Sequence, residues 1–457
     1  MNHRSTNASG WRRLSIGVIG GGIGGMSTAI SLRRAGHDVT VYERNDFVGE
    51  VGASVSCAAN GTRWLHEWNV DLSRGDGVVL KRLINRDWKT GEPVSVYELD
   101  DYEEKWGYVY YMFHRQHMHA MLKSCAFDEA GEGPVPVLKV NHACITINTE
   151  TGTIAFSNGT TATHDLVIGA DGIGSVARRA IGLNPEKRPS DSSCLHANVT
   201  TEEAKALGLV DYSLDSALEY WGGQEGKWDK IVLSPCNGGS LLSYYCFFSR
   251  SAGDYASQTW GGQDRPVEEL LAPYPELDQQ VKSHLAIGKE IQPWRLWVHV
   301  ALLGDAAHPL RSDAKFLEDL QLEFTLTNRQ MMPHQSQGAC MAIEDAAALG
   351  IIFSRKHFRG DLTECLAVYE QVRLPRATRV QAAAAKAASN INERIATYKV
   401  EDEKKKLTIE EMNAYDMYKD IEEVFAKRRQ TEFVPKFIRG LPVGLKLPSG
   451  IVIGASA

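Results

Sequence analysis

Gly20, Gly22 and Gly25 stand at the spacing Gly-x-Gly-x-x-Gly, directly after the apolar run Ser15–Ile19 and before the helix-forming stretch that begins Met26-Ser27-Thr28-Ala29. A second apolar run, Val39–Tyr42, closes on Glu43. This order of strand, glycine turn, helix, strand and acid suits a bound dinucleotide. Gly20 permits the tight turn, Gly22 lets the backbone approach a pyrophosphate, and Gly25 lets helix and strand pack closely. The helix N-terminus offers free N–H groups to phosphate oxygens, and Glu43 can accept a hydrogen bond from a ribose hydroxyl.

Two further segments pair a buried-type strand with an acid. Leu166–Ala170 leads into Asp171-Gly172, and Val300–Leu303 leads into Gly304-Asp305, with His308-Pro309 just beyond. Between them and the first motif, His114–Leu122 reads as a helix carrying Arg115. Asn60 reads as the N-cap of a helix that presents Trp64, Leu65 and Trp68 on one face. Lys89–Glu92 is a turn between two β-rich runs at 78–98, and 136–163 reads as a hairpin. From about 190 to 290 the texture changes to alternating strands, which is a separate sheet-based unit. Beyond Gly338 the chain reads as mostly helical.

Composition sets the frame. The chain has 457 residues, 43% hydrophobic and 23% charged, with net charge −7. It is long enough for two or three domains, and it lacks the basic footprint of a nucleic-acid or anionic-lipid binder. The eight cysteines form no CxxC pair and no zinc spacing. They read as reduced thiols of a cytoplasmic protein, with no metal site. No segment reaches the roughly 18 uninterrupted apolar residues of a membrane span. Oligomeric state is left open.

Together, Gly20–Gly25 with Glu43, Asp171–Arg178, and Gly304–Pro309 resemble the motif set of the single-component FAD-dependent aromatic hydroxylases, most of all the fungal salicylate hydroxylase type. Gly52-Ala53, Glu219–Gly223, Gln337–Ala347 and Tyr369–Arg376 extend the resemblance over about residues 14 to 420. It implies an α/β architecture. A discontinuous Rossmann-like FAD-binding domain would comprise 13–77, 100–188 and 291–395. A β-sheet substrate domain would comprise 78–99 and 189–290, and a C-terminal helical segment and tail 396–457. It also implies roles. Gly20, Gly22, Gly25, Glu43, Gly52, Ala53, Gly304 and Asp305 would line FAD, with Asp305 accepting from the ribityl chain. Arg115 would meet the phosphate-bearing part of the cofactor; a surface salt bridge is the other reading. Asp171 would serve FAD and the nicotinamide nucleotide, or else cap the next helix. Gly338 and Ala339 would turn helix N–H groups toward the flavin pyrimidine. No second Gly-x-Gly-x-x-Gly follows a strand, which fits transient NADH or NADPH binding over the same flavin.

The implied reaction is reduction of FAD by NAD(P)H, capture of O2 and transfer of OH to an electron-rich ring, a small phenolic acid being the substrate. Decarboxylation would accompany it for a salicylate-like acid. Candidates for a general base are Tyr220, His196 and His334. His196 stands near where relatives carry an arginine after the position of Cys194; as a lone strand histidine it also reads as core. Tyr220, Trp221, Tyr244 and Phe247 read equally as an aromatic pocket wall or as sheet core. Another flavin oxidoreductase on this fold, such as an epoxidase, and a homologue that binds aromatics without turnover are the alternatives.

Leu310–Gln330 separates His308-Pro309 from Met331-Met332-Pro333-His334, which relatives keep contiguous. Its length exceeds the usual connection in compact domains. Its end, Leu326–Gln330, can be encoded as CTAAC followed by CAG, as a fungal branch point and acceptor site would read. The segment therefore reads as retained intron sequence, against a genuine solvated insertion. Deleting Leu310–Gln330 is expected to raise flavin content and turnover. Equal flavin content and activity with and without the segment would mark it as a tolerated insertion.

Overall fold

The structure is a computed structural model, and it describes residues 10–47, 52–183, 192–223, 229–249, 264–294, 309–310, 335–395 and 406–432. Its first sheet has the order β18 (Pro309–Leu310), β12 (Leu166–Gly169), β1 (Ser15–Ile19), β2 (Asp38–Tyr42) and β8 (Val137–Lys139). β12, β1, β2 and β8 are parallel, and β18 runs antiparallel to β12. Ile16, Val18, Val39, Val41, Leu166 and Ile168 are buried. Both faces of a parallel sheet are covered, so apolar runs rather than alternation mark its strands.

The second sheet has seven strands in the order β17 (Lys289–Trp294), β13 (Ser192–Thr200), β16 (Leu241–Ser249), β15 (Lys230–Cys236), β14 (Ala217–Gly222), β5 (Arg82–Arg86) and β6 (Pro93–Glu98). Helices α6 (Thr201–Ala206), α7 (Val267–Leu271) and α8 (Gln279–Ala286) follow or separate its strands in sequence. The period-2 alternation divides its side chains. Trp221, Ile231, Leu233, Tyr244 and Cys246 enter a core with Leu270, Val281 and Leu285 of α7 and α8. Tyr220, Val232 and Leu241 join the main core with the Rossmann-like part.

Two three-stranded sheets complete the β-structure: β3 (Ser54–Cys57), β7 (Tyr111–His114) and β4 (Val78–Val79), and β9 (Cys144–Asn148), β10 (Thr153–Phe156) and β11 (Thr161–Thr163). The hairpin expected over 136–163 is thus an outer strand of the first sheet followed by a small sheet of its own.

The helices are α1 (Ile23–Arg34), α2 (Ala59–Glu67), α3 (Tyr102–Trp106), α4 (Arg115–Ala126), α5 (Val176–Ala180), α9 (Gly338–Ile352), α10 (Leu362–Ser389), α11 (Ile409–Asn413) and α12 (Met417–Glu432). Asn60 does not cap α2. Ala58 holds that position, and the Asn60 amide donates to Gln337 Oε1 (3.1 Å) and Glu344 Oε1 (2.7 Å). A buried acceptor across the interface has recruited the donor that the local pattern assigned to a cap. His114 ends β7, so the helix starts one residue later than expected.

α9 is fastened to α10 by a buried ionic cluster. Arg373 reaches Glu344 (2.9 Å) and Asp345 (2.7 Å), and Arg376 reaches Glu344 (2.7 Å). The two arginines, with the Asn60 amide, hold the Glu344 carboxyl at about 2 despite burial, whereas burial pushes Asp345 up. A buried guanidinium left without its carboxylates, or the reverse, is far costlier than the intact cluster. Arg373→Met is expected to lower unfolding stability by about 3–5 kcal/mol, measured by chemical denaturation. A loss below about 1 kcal/mol would show that the cluster adds little to holding α9 in place.

Candidate functional site

The glycine turn sits at the carboxyl end of β1, beside the carboxyl end of β12. Gly20 has φ +102°, and a Cβ there would lie 2.2 Å from the Ala170 carbonyl oxygen. A Cβ on Gly25 would lie 1.9 Å from the Gly20 carbonyl oxygen. Both glycines are therefore demanded by the protein itself. Gly22 differs. It is the N-cap of α1 with φ −72°, which any residue adopts, it makes no side-chain cap, and no described atom lies within 4 Å of a Cβ placed on it.

α9 opens in the same direction. Gly24 meets the Ala342 side chain, and further along Gly350 meets Ser31, so α1 and α9 run parallel with their N-termini at one end. The N-cap of α9, Gln337, also makes no side-chain cap, and a Cβ on Gly338 would meet no described atom within 4 Å. The same holds for Gly172 and Gly174 after β12. Two helix N-termini without a side-chain cap, each a partial positive charge, thus lie at one end of the molecule with no described atom over Gly22 or Gly338. This cradle fits a dinucleotide: the glycine spaces that no described atom fills are those the motif reserves for phosphate and ring.

The remaining sequence-derived residues are placed as follows. Glu43 spans the turn, with Oε2 accepting from the Gly21 N–H (2.7 Å) and Oε1 from the Asn45 N–H (3.0 Å). Asp171 accepts from Ser175 Oγ (2.6 Å), Val176 N–H (2.6 Å) and Ala177 N–H (3.2 Å), which is the capping reading. Arg115 is the first residue of α4, and its N–H donates to the Ala53 carbonyl (2.8 Å). One helical turn on, His119 Nε2 contacts the Gly21 carbonyl (2.6 Å), so the α4 face carrying Arg115 and His119 leans on the glycine turn. His119 had no motif to announce it. Gly52 has a local reason to be glycine, since a Cβ there would overlap the His114 ring. Ala339 follows Gly338 in the first turn of α9. Gly304, Asp305 and His334, with nearly all of Leu310–Gln330, lie outside the described residues.

The inner face of the seven-stranded sheet meets this region through β3. Ser54 N–H donates to Ser243 Oγ (3.2 Å), Tyr245 OH donates to the Ser54 carbonyl (2.5 Å), and Ser54 Oγ and Ser234 Oγ bond each other. His196 is buried with Nε2 on Ser243 Oγ (2.7 Å), its ring against Tyr245 and Trp294. Burial, with His114 nearby, pushes it down to about 3, so it is neutral at physiological pH and far too weak a base for chemistry near pH 7. Tyr220 is buried on the inner face. Its hydroxyl lies beside Ser336 without a well-formed hydrogen bond, burial raises it, and the Arg394 guanidinium sits 4.0 Å from its ring centroid. Phe247 shares this face, while Trp221 and Tyr244 belong to the opposite core.

The family described as FAD dependent oxidoreductase matches residues 15–135. The chain is similar to hispidin-3-hydroxylase of Neonothopanus nambi, 27% identical over 81% of this chain and 87% of that one. It is similar to 3-amino-4-hydroxybenzoate 2-monooxygenase of Streptomyces cremeus, 28% identical over 83% and 88%. Among solved structures, CtdE with FAD and substrate 4 superposes with TM-score 0.70 at 18% identity, covering 92% of this chain and all of that one. A salicylate hydroxylase substrate complex superposes with TM-score 0.63 at 22% identity, over 90% and 98%. Over most of its length the chain is thus similar to a hydroxylase and a monooxygenase, and the FAD dependent oxidoreductase match falls on the glycine turn and the segments that follow it.

Substitutions at the turn separate fold from cofactor. Gly25→Ala is expected to destabilise the apoprotein by about 1–3 kcal/mol, because the new methyl meets backbone. Gly22→Val is expected to leave apoprotein melting within about 0.5 kcal/mol and to abolish FAD retention. Thermal melting with flavin titration reads both, and wild-type FAD affinity in Gly22→Val would remove the cradle from consideration.

Proposed function

We propose that the protein is an FAD-dependent monooxygenase that uses NAD(P)H and O2 to hydroxylate a small phenolic or aromatic acid. Decarboxylation would follow where the hydroxylated carbon bears a carboxylate. The observation that carries this reading is the pair of parallel helix N-termini, of α1 and α9, without side-chain caps and with no described atom over Gly22 or Gly338, beside an aromatic sheet face. The family relationship supports FAD as the occupant.

FAD, when bound, supplies the electron transfer and oxygen chemistry. The chain's own residues do the rest. The α1 N-terminus and the backbone at Gly22 would receive the pyrophosphate, with Arg115 on the adjoining helix face. Glu43 braces the glycine turn, and its two oxygens retain acceptor capacity for a ribose hydroxyl. The α9 N–H groups at Gly338 and Ala339 would favour negative charge on the ring end of the cofactor. Tyr220, beside Ser336 at the start of α9, is the hydroxyl best placed to meet a phenolic substrate; His196 acts by fixing Ser243 rather than by moving a proton.

The eight cysteines are free thiols, which suits a reducing cytoplasm. No described helix is long and apolar enough to cross a membrane. The test is turnover under labelled O2 with a panel of hydroxybenzoates, reading NAD(P)H oxidation and product mass. Label in the product supports a monooxygenase; oxidation of substrate without label moves the protein to another flavin oxidoreductase class. Tyr220→Phe is expected to lower product per NAD(P)H and raise peroxide release, and unchanged stoichiometry would assign Tyr220 to packing.

A further inference from the structure

The chain enters α9 through two residues in sparsely populated backbone conformations. Ser336 has φ +56°, in the left-handed region that favours glycine. Gln337, the N-cap, has φ −113° and ψ 0° in place of the extended backbone usual at that position. The entry to α1 has no such strain, since Gly22 caps it with φ −72° and ψ −171°. A strained entry persists only where its surroundings over-determine it.

Each of the three residues before Gly338 is gripped by a different element. Gln335 is tied to α10 and the segment after it. Its Nε2 donates to the Ala383 carbonyl (3.2 Å) and the Glu393 carbonyl (3.0 Å), and its Oε1 accepts from the Ile395 N–H (2.9 Å). Ser56 on β3 is 7% exposed, and its Oγ donates to the Ser336 carbonyl (2.6 Å). Gln337 Oε1 accepts from the Asn60 amide of α2 (3.1 Å). One turn further on, the Ala58 N–H meets Cys340 Sγ (3.3 Å). The body of α9 is held separately, by Arg373 and Arg376. Ser56 is the grip that acts on the backbone of the strained residue. In a trans peptide the carbonyl and the N–H point opposite ways. Drawing the Ser336 carbonyl to β3 therefore turns the Gln337 N–H away from β3 and fixes the peptide plane from which Gly338 and Ala339 continue.

We propose that Ser56 is a positioning residue for FAD: its hydroxyl holds the left-handed turn at Ser336 and so aims the α9 N-terminus at the ring end of the cofactor. This assignment rests on the reading of the α1 and α9 N-termini as the FAD cradle. A helix N-terminus favours negative charge, and the effect fades within the first turn. The direction of that turn therefore weighs on the reduced, more negative cofactor more than on the oxidised one. With alanine at position 56 the Ser336 carbonyl loses its donor, nothing offsets the strain, and the entry peptide relaxes out of the left-handed region. Glycine at position 336 carries the left-handed conformation without strain, so there the turn depends less on Ser56.

The test is the midpoint potential of FAD bound to the full chain, with titration of the apoprotein by oxidised FAD beside it. Ser56→Ala is expected to lower the preference for reduced over oxidised FAD by about tenfold, which is a midpoint about 30 mV lower for a two-electron couple. Affinity for oxidised FAD should move by less than about threefold. In a Ser336→Gly background the same Ser56→Ala change is expected to lower the preference by less than about threefold. An unchanged potential in Ser56→Ala overturns the assignment, as does an equal drop with serine or glycine at position 336. If Ser56→Ala fails to retain FAD, the Ser56→Ala, Ser336→Gly double variant decides. Retention of FAD by the double variant supports the assignment, and loss of FAD there overturns it. A wild-type chain that binds no FAD removes the cradle reading and this assignment with it. An unchanged potential in an FAD-loaded Ser56→Ala variant removes the assignment and leaves the cradle standing.

Discussion

The contact between α1 and α9 is made of small residues, and most of the site follows from it. Gly24 against Ala342 and Gly350 against Ser31 let the two helix backbones approach along their length, in parallel. Parallel neighbours put like ends together. Two partial positive charges at one point repel, and the arrangement is held by what surrounds it. The Glu344, Asp345, Arg373 and Arg376 cluster binds α9 to α10, and Asn60 and Gln337 tie the start of α9 to α2. The helices are thereby prevented from relaxing by rotation or slip, and the field at their ends stays available for an anion.

The glycine turn was legible in the sequence because two of its constraints are local. A positive φ at Gly20 and a close approach at Gly25 depend on residues within one strand–turn–helix unit. The parallel sheet was legible for the same reason, since apolar runs of strand length carry their own signature. The residues that fasten the parts were not legible. Asn60 follows the pattern of a cap and instead serves a carboxylate hundreds of positions away. Glu344, Asp345, Arg373 and Arg376 stood inside conspicuous motifs, yet charge pairing across two helices has no periodicity that a single chain displays. Lys230 and Arg394, both buried, fall at a strand start and after a helix end, where a basic residue is ordinarily a solvated one.

The seven-stranded sheet illustrates how alternation settles what composition leaves open. Aromatic residues are strand formers on either face, so Tyr220 and Trp221 were equivalent in sequence. In the fold, one-residue spacing sends them to opposite sides. Trp221 and Tyr244 pack with the helices that cover the outer face, and Tyr220 and Phe247 turn inward with the buried cations. The inner face is also joined to the Rossmann-like part by a seam of serine hydroxyls at Ser54, Ser234 and Ser243, with His196 neutral behind it. Hydrogen bonds of this kind specify a single docking of one layer on the other, because a shift would leave several buried polar atoms unsatisfied.

The two halves of the cradle come from opposite regions of the chain. Gly24 is made early in synthesis and Ala342 about three hundred residues later, so the pair closes a loop that includes every strand of both large sheets except β1. At ribosomal rates of about 5–20 residues per second, the first half waits for many seconds without its partner. Throughout that interval the nascent protein carries a finished glycine turn and an unfinished receptacle, and the apolar flank of α1 destined for α9 is open to other contacts. On this geometry the complete receptacle exists only once α9 has been made, about three hundred residues after the glycine turn.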